Sequence, residues 1–254
     1  MSQSPYRQAG YRLRFDWGLS GAREIAEQSW VVAVVDVLSF TTTLTVAMDR
    51  GVEVFPYRWR DESALGFAKR HGAVLAVGRS QARAGDVSLS PQTLRAAGDI
   101  RRLVLPSPNG STIAVSMAGL GGEVIGVSLR NSTAAAKWTA ARLGQGSSGV
   151  AVVAAGEQWP HGGLRPAVED LWGAGAYLAA LRAYWPGSRS PEAEAAVAAF
   201  ERVSGDLPQQ LHASASGREL AAAGYSHDVD IAGETDRSEA VPVLLEHSFR
   251  PGAV

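Results

Sequence analysis

The sequence contains no cysteine, and this absence excludes several kinds of chemistry. Disulfide bonds, thiolate metal sites and a cysteine nucleophile are all ruled out. No stretch is long and apolar enough to suggest a segment that crosses a bilayer. The first ten residues, MSQSPYRQAG, lack the apolar core of a secretion signal. We therefore expect a cytoplasmic protein with no membrane partner.

An excess of basic residues is also missing. The chain has 24 lysines and arginines against 25 aspartates and glutamates, and its formal net charge is -1. Balanced charge without a long basic run argues against nucleic acid as the main partner. The 254 residues, 46% of them apolar, are enough for one large α/β domain or two small ones.

The stretch from Trp30 to Arg50 gives the clearest indication of fold. It opens with the Val-rich run 31–35, which is typical of a strand buried on both faces of a parallel sheet. Asp36 ends the run, and a turn rich in threonine leads into a helical pattern. Ligands of open parallel sheets bind at this edge, where helix N-termini offer N–H groups to anions. Helix capping explains the same residues equally well, so this stretch alone leaves both interpretations open.

The order of strand, polar turn and helix then recurs along the chain. Further apolar runs lie at 52–57, 73–77, 103–105, 123–127 and 150–155. This alternation predicts an α/β fold of three layers, α/β/α, with a largely parallel or mixed central sheet. We interpret residues 1–254 as a single domain, with two α/β lobes joined near 144–149 as the alternative. The tail from Glu246 is predicted to be loose.

Polar clusters follow four of the predicted strands. They are Asp36 with Thr41 to Thr43, Asn109-Gly110-Ser111, Asn131-Ser132 and Gly156-Glu157. Because the carboxyl ends of parallel strands lie along one edge of the sheet, these clusters converge there and predict a small-anion site.

Two acidic residues, Glu169 and Asp170, lie in the first turn of the helix predicted from about 167 to 184. Acidic residues at this position complement the helix dipole, and that role alone accounts for them. The functional interpretation is that they bind a hard cation such as Mg²⁺, which prefers carboxylate oxygen and water. The loop 80–92 is a candidate binding loop on similar grounds, with a solvated connection as the alternative.

Read in order, the segments of this chain resemble the 2-phosphosulfolactate phosphatase family (ComB-like). The resemblance runs from about Val31 to Leu244. It rests on VVDVLSFTTTL at 34–44, Asp86 to Pro91, Asn109-Gly110-Ser111, Asn131-Ser132, Ala155-Gly156, Glu169-Asp170 with Gly173-Ala174-Gly175, Leu220, Gly224, Asp228-Val229 and Val241-Pro242. No single segment is specific, but their order is.

The resemblance implies a Mg²⁺-dependent phosphatase that converts 2-phospho-3-sulfolactate to 3-sulfolactate and phosphate, on the route to coenzyme M. By the same resemblance, Asp36 and Asp170 are the catalytic candidates, and Asp36, Glu169 and Asp170 are the metal ligands. The candidates for binding phosphate and substrate are Thr42, Thr43, Arg79, Ser90, Asn109, Gly110, Ser111, Asn131 and Arg165. The expected partner is a small anionic phosphorylated substrate, and a homodimer is the expected assembly. A water nucleophile and an aspartyl-phosphate route both remain open.

Two departures from the family pattern bear on the function. Ser39 stands where the family commonly has arginine, and Arg79 stands where it commonly has glutamate. These changes leave a second interpretation, a catalytically impaired member that binds anions. Arg79 partly replaces the lost positive charge if it lies close to Ser39.

Overall fold

The computed structural model describes residues 4–58, 62–143 and 149–252. Its strands are β1 (Leu13–Trp17), β2 (Val31–Val35), β3 (Glu53–Tyr57), β4 (Val74–Leu75), β5 (Arg102–Pro106), β6 (Glu123–Val127), β7 (Val150–Ala154), β8 (Glu157–Gln158), β9 (Leu164–Arg165), β10 (Pro242–Leu245) and β11 (Ser248–Pro251). Its helices are α1 (Gly18–Ile25), α2 (Phe40–Asp49), α3 (Glu62–His71), α4 (Pro91–Ala96), α5 (Gly110–Met117), α6 (Ser132–Arg142), α7 (Val168–Tyr184), α8 (Pro191–Val203), α9 (Leu207–Ala213), α10 (Ala215–Ala222) and α11 (Ser226–Ala232). Short 3-10 helices lie at Pro5–Arg7, Arg79–Gln81 and Leu129–Asn131.

The central sheet consists of two parallel halves joined by an antiparallel hairpin. Its strand order is β1-β7-β2-β6-β10-β11-β3-β5-β4, while β8 and β9 form a separate small ribbon. Within each half, β1-β7-β2-β6 and β3-β5-β4, all the pairs are parallel. The hairpin of β10 and β11 meets each half at a single residue pair, Val243 with Ile125 and Phe249 with Val54. The predicted mixed sheet is confirmed, but the prediction of a loose tail is wrong because β11 lies within the sheet.

Helices cover both faces of the sheet, so the molecule has the predicted three layers. In β2 the buried side chains alternate between two cores, with Val31 on one face and Val32 on the other. Fully burying a valine side chain contributes about 1.5–3 kcal/mol relative to exposure, so this run strongly favours a central strand. The first core packs against α6, α7 and α8, and the second against α1, α2 and α5.

The second core contains side chains from both halves of the sheet. Val34 of β2 and Leu103 of β5 both belong to it, together with Phe40 of α2 and Ile113 of α5. The three-stranded half lies within residues 53–106, so it is inserted between α2 and β6 of the other half. The halves converge around α2 and α5, and this convergence forms the cleft described below.

Of the predicted linker 144–149, residues 144–148 lie outside the described residues. On its far side, β7 pairs with β1 and β2, which precede it in the chain. Within the described residues, no helix has both the length and the apolar character needed to cross a membrane.

Candidate active site

A cleft of about 400 Å³ opens where the two halves of the sheet converge. Its polar lining includes Asp36 after β2, Arg79 after β4, Asn109 after β5 and Glu157 after β7. Residues of α10 and the following Tyr225 form the opposite wall. A larger groove of about 560 Å³ near β3 and α3 contains none of the predicted site residues. The polar side chains that could take part in a reaction therefore lie at the smaller cleft, which we call the active-site cleft.

Asp36 is fixed by backbone hydrogen bonds at the centre of this cleft. Its Oδ1 accepts from the N–H of Phe40 at 3.1 Å, and its Oδ2 accepts from the N–H of Gly110 at 2.9 Å. The Thr41 hydroxyl donates to the backbone oxygen of Asp36 at 2.8 Å. Burial raises the pKa of the Asp36 carboxyl, while these backbone hydrogen bonds and the charge of Arg79 oppose the increase. The result is an oriented carboxylate with little freedom to rotate.

Asp170 ties two strand ends together behind the cleft. Its Oδ1 accepts from the N–H of Val37 at 2.7 Å, and its Oδ2 accepts from the N–H of Gly156 at 2.8 Å. Burial, followed by the charges of Asp36 and Glu169, raises the pKa of Asp170 well above its ordinary value. Asp170 is not among the residues that line the cleft. Both of its oxygens are engaged, so its visible role is to hold the ends of β2 and β7 in register.

Glu157 completes a group of four mutually interacting carboxyl groups. Burial raises its pKa to about 7, with smaller contributions from the charges of Asp36 and Glu169. The Asn109 amide Nδ2 donates to Glu157 Oε2 at 2.9 Å and orients the carboxyl. The negative charges of these carboxyl groups raise the pKa of one another, and a bound cation would oppose that effect.

Glu169 belongs to this group, and one of its carboxyl oxygens lacks a hydrogen bond within the part of the chain that the structure describes. Its side chain is buried, and Oε2 has no hydrogen-bond partner among the described residues. An unpaired buried carboxylate oxygen is costly, because its lost hydration is not replaced. A buried carboxylate oxygen of this kind is also a preferred ligand of a hard cation.

Comparison with known proteins identifies a family for this chain. The 2-phosphosulpholactate phosphatase family matches residues 20–247. A relative from Thermus thermophilus, named a probable 2-phosphosulfolactate phosphatase, is 34% identical over 221 residues, covering 84% of this chain and 87% of its own. The chain belongs to this family. A second relative of the same name, from Deinococcus radiodurans, is 29% identical and covers 85% of this chain and 88% of its own.

Membership of the 2-phosphosulpholactate phosphatase family confirms the resemblance identified from the sequence. It assigns the chain to a family of phosphoric monoester hydrolases. Of the predicted site residues, Asp36, Arg79 and Asn109 line the active-site cleft. Gly110 reaches it through its N–H, which donates to Asp36.

Four of the residues that were predicted to bind phosphate lie in the protein interior and not at the cleft. The hydroxyls of Thr42, Thr43 and Ser111 donate to the backbone oxygens of Val37, Leu89 and Leu105, each at 2.8 or 2.9 Å. The Asn131 side chain accepts from the N–H of Ser128 and donates to the backbone oxygens of Gly126 and Ala240. All four side chains are fully buried. The structure does not bring them to the cleft, because their polar groups are occupied by the backbone.

Ser90 and Arg165 are not among the residues that line the cleft, although each contacts a residue near it. The Ser90 hydroxyl caps α4 and donates to the buried Asp228. The Arg165 guanidinium donates to the hydroxyl of Ser216 on α10 at 3.2 Å. Arg165 lies close enough to Glu157 for its positive charge to lower the pKa of that carboxyl.

Sequence reasoning did not assign a role to Glu157 or Asp228. Glu157 was visible as part of a strand-end cluster, and the predicted convergence of these clusters could have singled it out. Asp228 lies in α11, far along the chain from the residues that it contacts. No local pattern connects it with the cleft.

The carboxylate donors of the cleft are of the type that binds a hard cation such as the Mg²⁺ expected from the sequence. Within the part of the chain that the structure describes, no three acidic, histidine or cysteine residues form a complete ligand cluster. Mg²⁺ does not need one, because it is usually held by one or two carboxylates, several waters and substrate phosphate. Asp36 and Glu157 are the carboxylates that line the cleft, whereas Glu169, which has the unpaired oxygen, is not among the lining residues.

Proposed function

We propose that this protein is a Mg²⁺-dependent phosphatase that hydrolyses a small acidic phosphate monoester. The name of its relatives suggests 2-phospho-3-sulfolactate as the substrate, with 3-sulfolactate and phosphate as the products. The observation that carries the proposal is the group of interacting carboxyl groups, of which Asp36 and Glu157 line the cleft. One of their oxygens, Glu169 Oε2, has no hydrogen-bond partner among the described residues.

Asp36 and Glu169 would hold the cation, which would supply charge neutralisation for the phosphoryl oxygens when bound. The chain adds positive potential of its own. Ser39 and Asn109, the N-cap residues of α2 and α5, both line the cleft. The positive ends of two helix dipoles therefore face the space in which a phosphate would bind.

We assign the attack on phosphorus to water and the orientation of that water to Glu157. A pKa of about 7 suits a group that accepts a proton near neutral pH. The hydrogen bond from Asn109 engages Oε2 and leaves Oε1 for the water. Asp36 is less suited to be the nucleophile, because each of its oxygens already accepts a backbone hydrogen bond.

The test is phosphate release from 2-phosphosulfolactate and a panel of phosphorylated hydroxy acids, with Mg²⁺ and with chelator. The Asp36→Asn variant should lose metal-dependent release, while Asp99→Asn, a change at an exposed residue away from the cleft, should retain it. Folded wild-type protein that releases no phosphate from any substrate would overturn the proposal. That result would favour the anion-binding interpretation instead.

A further inference from the structure

Arg79 is the only basic residue among the described residues that line the active-site cleft, and its guanidinium is held in place. Its Nε donates to Asp228 Oδ2 at 3.3 Å, and its Nη2 donates to the hydroxyl of Ser39 at 2.6 Å. The Tyr225 ring centre lies 5.8 Å from Cζ, and the Tyr225 hydroxyl donates to the Arg79 backbone oxygen at 2.8 Å. These contacts fix both the backbone and the side chain of Arg79.

Asp228 is a fully buried carboxylate whose contacts all go to the segment around Arg79. The Ser90 hydroxyl and the N–H of Gln92 donate to its Oδ1, and Arg79 donates to its Oδ2. A buried carboxylate is expensive unless it is paired with a cation and hydrogen-bonded. An asparagine oxygen at position 228 could accept the same hydrogen bonds from Ser90 and Gln92, so the start of α4 does not require a charge there. The negative charge of Asp228 is matched by the guanidinium of Arg79.

The remaining face of the guanidinium is available to a ligand. Nη1 of Arg79 donates to no protein group in the described ranges, and the side chain is 19% exposed. A guanidinium presents its N–H groups in a planar fork that suits carboxylate, sulfonate and phosphate oxygens. Arg79 is therefore a preorganised anion-binding group.

The cleft is polarised, and this determines which anion Arg79 meets. Asp36 follows β2 and Glu157 follows β7, both strands of the four-stranded half, whereas Arg79 follows β4 of the three-stranded half. Glu169 lies in the first turn of α7. The phosphoryl group and its cation belong with the carboxylates. The Ser39 hydroxyl that Arg79 contacts lies only three residues after Asp36, so a small substrate can span both parts of the cleft.

We propose that Arg79 binds the acidic group of the substrate that is not transferred, a carboxylate or a sulfonate, and that Asp228 is the residue that positions it. Arg79 then determines specificity, and Asp228 acts through Arg79 without touching the substrate. The inference rests on the proposed phosphatase function, which supplies the phosphoryl end of the substrate.

Two matched substrates isolate the contribution of the second acidic group. 2-Phospholactate and 1,2-propanediol 2-phosphate have the same three-carbon skeleton. The first carries a carboxylate where the second carries a hydroxymethyl group. Wild-type enzyme should prefer the first in kcat/KM. Arg79→Gln should raise KM for 2-phospholactate by about 10- to 100-fold, the effect of losing a charge-assisted contact. Because the Arg79 charge also lowers the pKa of Asp36, kcat should fall to a similar extent for both substrates, whereas the rise in KM should be confined to 2-phospholactate.

Asp228→Asn tests the positioning role. The asparagine oxygen can still accept from Ser90 and Gln92, but its amide group would face the N–H of Arg79. We expect the same selective rise in KM, and no additional rise when Asp228→Asn is combined with Arg79→Gln. Asp230→Asn, on the exposed face of the same helix, should match wild type. A general loss of kcat for both substrates in Asp228→Asn, without the selective rise in KM, would mean a merely structural role.

A binding measurement separates this inference from the phosphatase proposal. Calorimetric titration with 3-sulfolactate, which carries no phosphate, needs no turnover. Binding that weakens at least tenfold in Arg79→Gln supports the assignment even if no substrate is hydrolysed. Equal affinity in wild type and Arg79→Gln, or equal kcat/KM of wild type for the two matched substrates, would overturn it.

Discussion

The backbone N–H of Gly110 donates a 2.9 Å hydrogen bond to Asp36 Oδ2, and this bond joins the two halves of the sheet at the cleft. Asp36 follows β2 and Gly110 begins α5 after β5, although four strands separate β2 from β5 in the sheet. A Cβ at position 110 would lie 2.7 Å from Asp36 Oδ2 and would collide with the Phe40 ring. Glycine is therefore needed here for close approach, and the geometry of the site depends on it.

Gly110→Ala is expected to damage both activity and stability. The added methyl group must push Asp36 and Phe40 apart, and overpacking of this kind costs about 1–3 kcal/mol. Phosphatase activity should fall by about 100-fold, because a displacement near 1 Å in a reacting group has effects of that order. Steady-state kinetics and urea unfolding measure the two effects. Gly98→Ala, where no atom lies within 4 Å of the added carbon, is the control. Wild-type activity in Gly110→Ala would contradict the assigned geometry.

Mg²⁺ should stabilise the wild-type protein but not Glu169→Gln. A ligand that binds only the folded state at 100 times its Kd adds about 2.7 kcal/mol of stability. Glu169 Oε2 has no partner among the described residues, so its replacement by an amide removes a metal ligand without breaking an observed hydrogen bond at that atom. Thermal unfolding with and without Mg²⁺ measures the difference, with the exposed Glu239→Gln as control. An equal shift of Tm in wild type and in Glu169→Gln would show that Glu169 does not bind the metal.

The stability of the metal-free protein should depend on Glu157 above pH 5. The folded-state pKa of this carboxyl is raised from 4.5 to about 7. As the pH rises between these values, the unfolded chain ionises first, so folding becomes less favourable. Above pH 7 the cost stays constant at about 3 kcal/mol, because the two pKa values differ by about 2.5 and each pKa unit corresponds to about 1.36 kcal/mol.

Glu157→Gln removes this cost, so the variant should be more stable than wild type at pH 8 and close to it near pH 4.5. Urea unfolding in the presence of chelator at the two pH values measures the difference. Saturating Mg²⁺ should shrink the difference at pH 8, because the positive charge of a cation held by Asp36 and Glu169 would stabilise the ionised Glu157 of wild type. If the variant is less stable at pH 8 even with chelator, the carboxyl does not carry the expected burial cost.

Glu53→Gln should weaken the side-chain hydrogen bonds that connect β3 with β5 and β11. Burial raises the pKa of Glu53, but hydrogen bonds from Ser248, Arg250 and Arg102 outweigh it and lower the pKa below 4.5. A depressed carboxyl pKa contributes stability above the unfolded value, and that stability is lost as the pH falls through the folded value.

We therefore expect Glu53→Gln to cost about 1 kcal/mol at pH 7, since both arginine side chains are half exposed to solvent. The difference from wild type should shrink as the pH drops below 4.5. Chemical unfolding at pH 7 and pH 4 tests this, and Glu239→Gln again provides the control. A difference that is the same at both pH values would show that charge is not its source.

Strand ends predicted the location of the cleft but not its full composition. Asp36 and Asn109 could be predicted because each directly follows a buried strand, and parallel strands bring such positions to one edge. Thr42 and Ser111 occupy equivalent places in the sequence, yet their hydroxyls bond to the backbone. A hydroxyl that caps a helix and one that binds phosphate have the same sequence pattern. The difference depends on which way the first turn of the helix faces.

Asp228 illustrates what remains beyond prediction from a single sequence. Its contact with Arg79 depends on how α11 packs against the loop after β4, and many combinations of packing fit the same apolar pattern. The proximity of Arg79 to Ser39 was equally undetermined, and the structure establishes it at 2.6 Å. Long-range contacts between polar side chains are set by the tertiary fold, which short motifs do not encode.

The insertion of one half-sheet into the other also has a consequence for the order in which the chain folds. Within the inserted segment, β3 pairs with β5, and Glu53 lies opposite Arg102. The pairing of β2 with β6, in which Val31 lies opposite Glu123, spans the whole of that segment. Closing the longer loop costs more conformational entropy and slows the search. We expect the strands of the inserted segment to pair first and to shorten the path between β2 and β6. The cleft, which needs both halves, would then be among the last features to form.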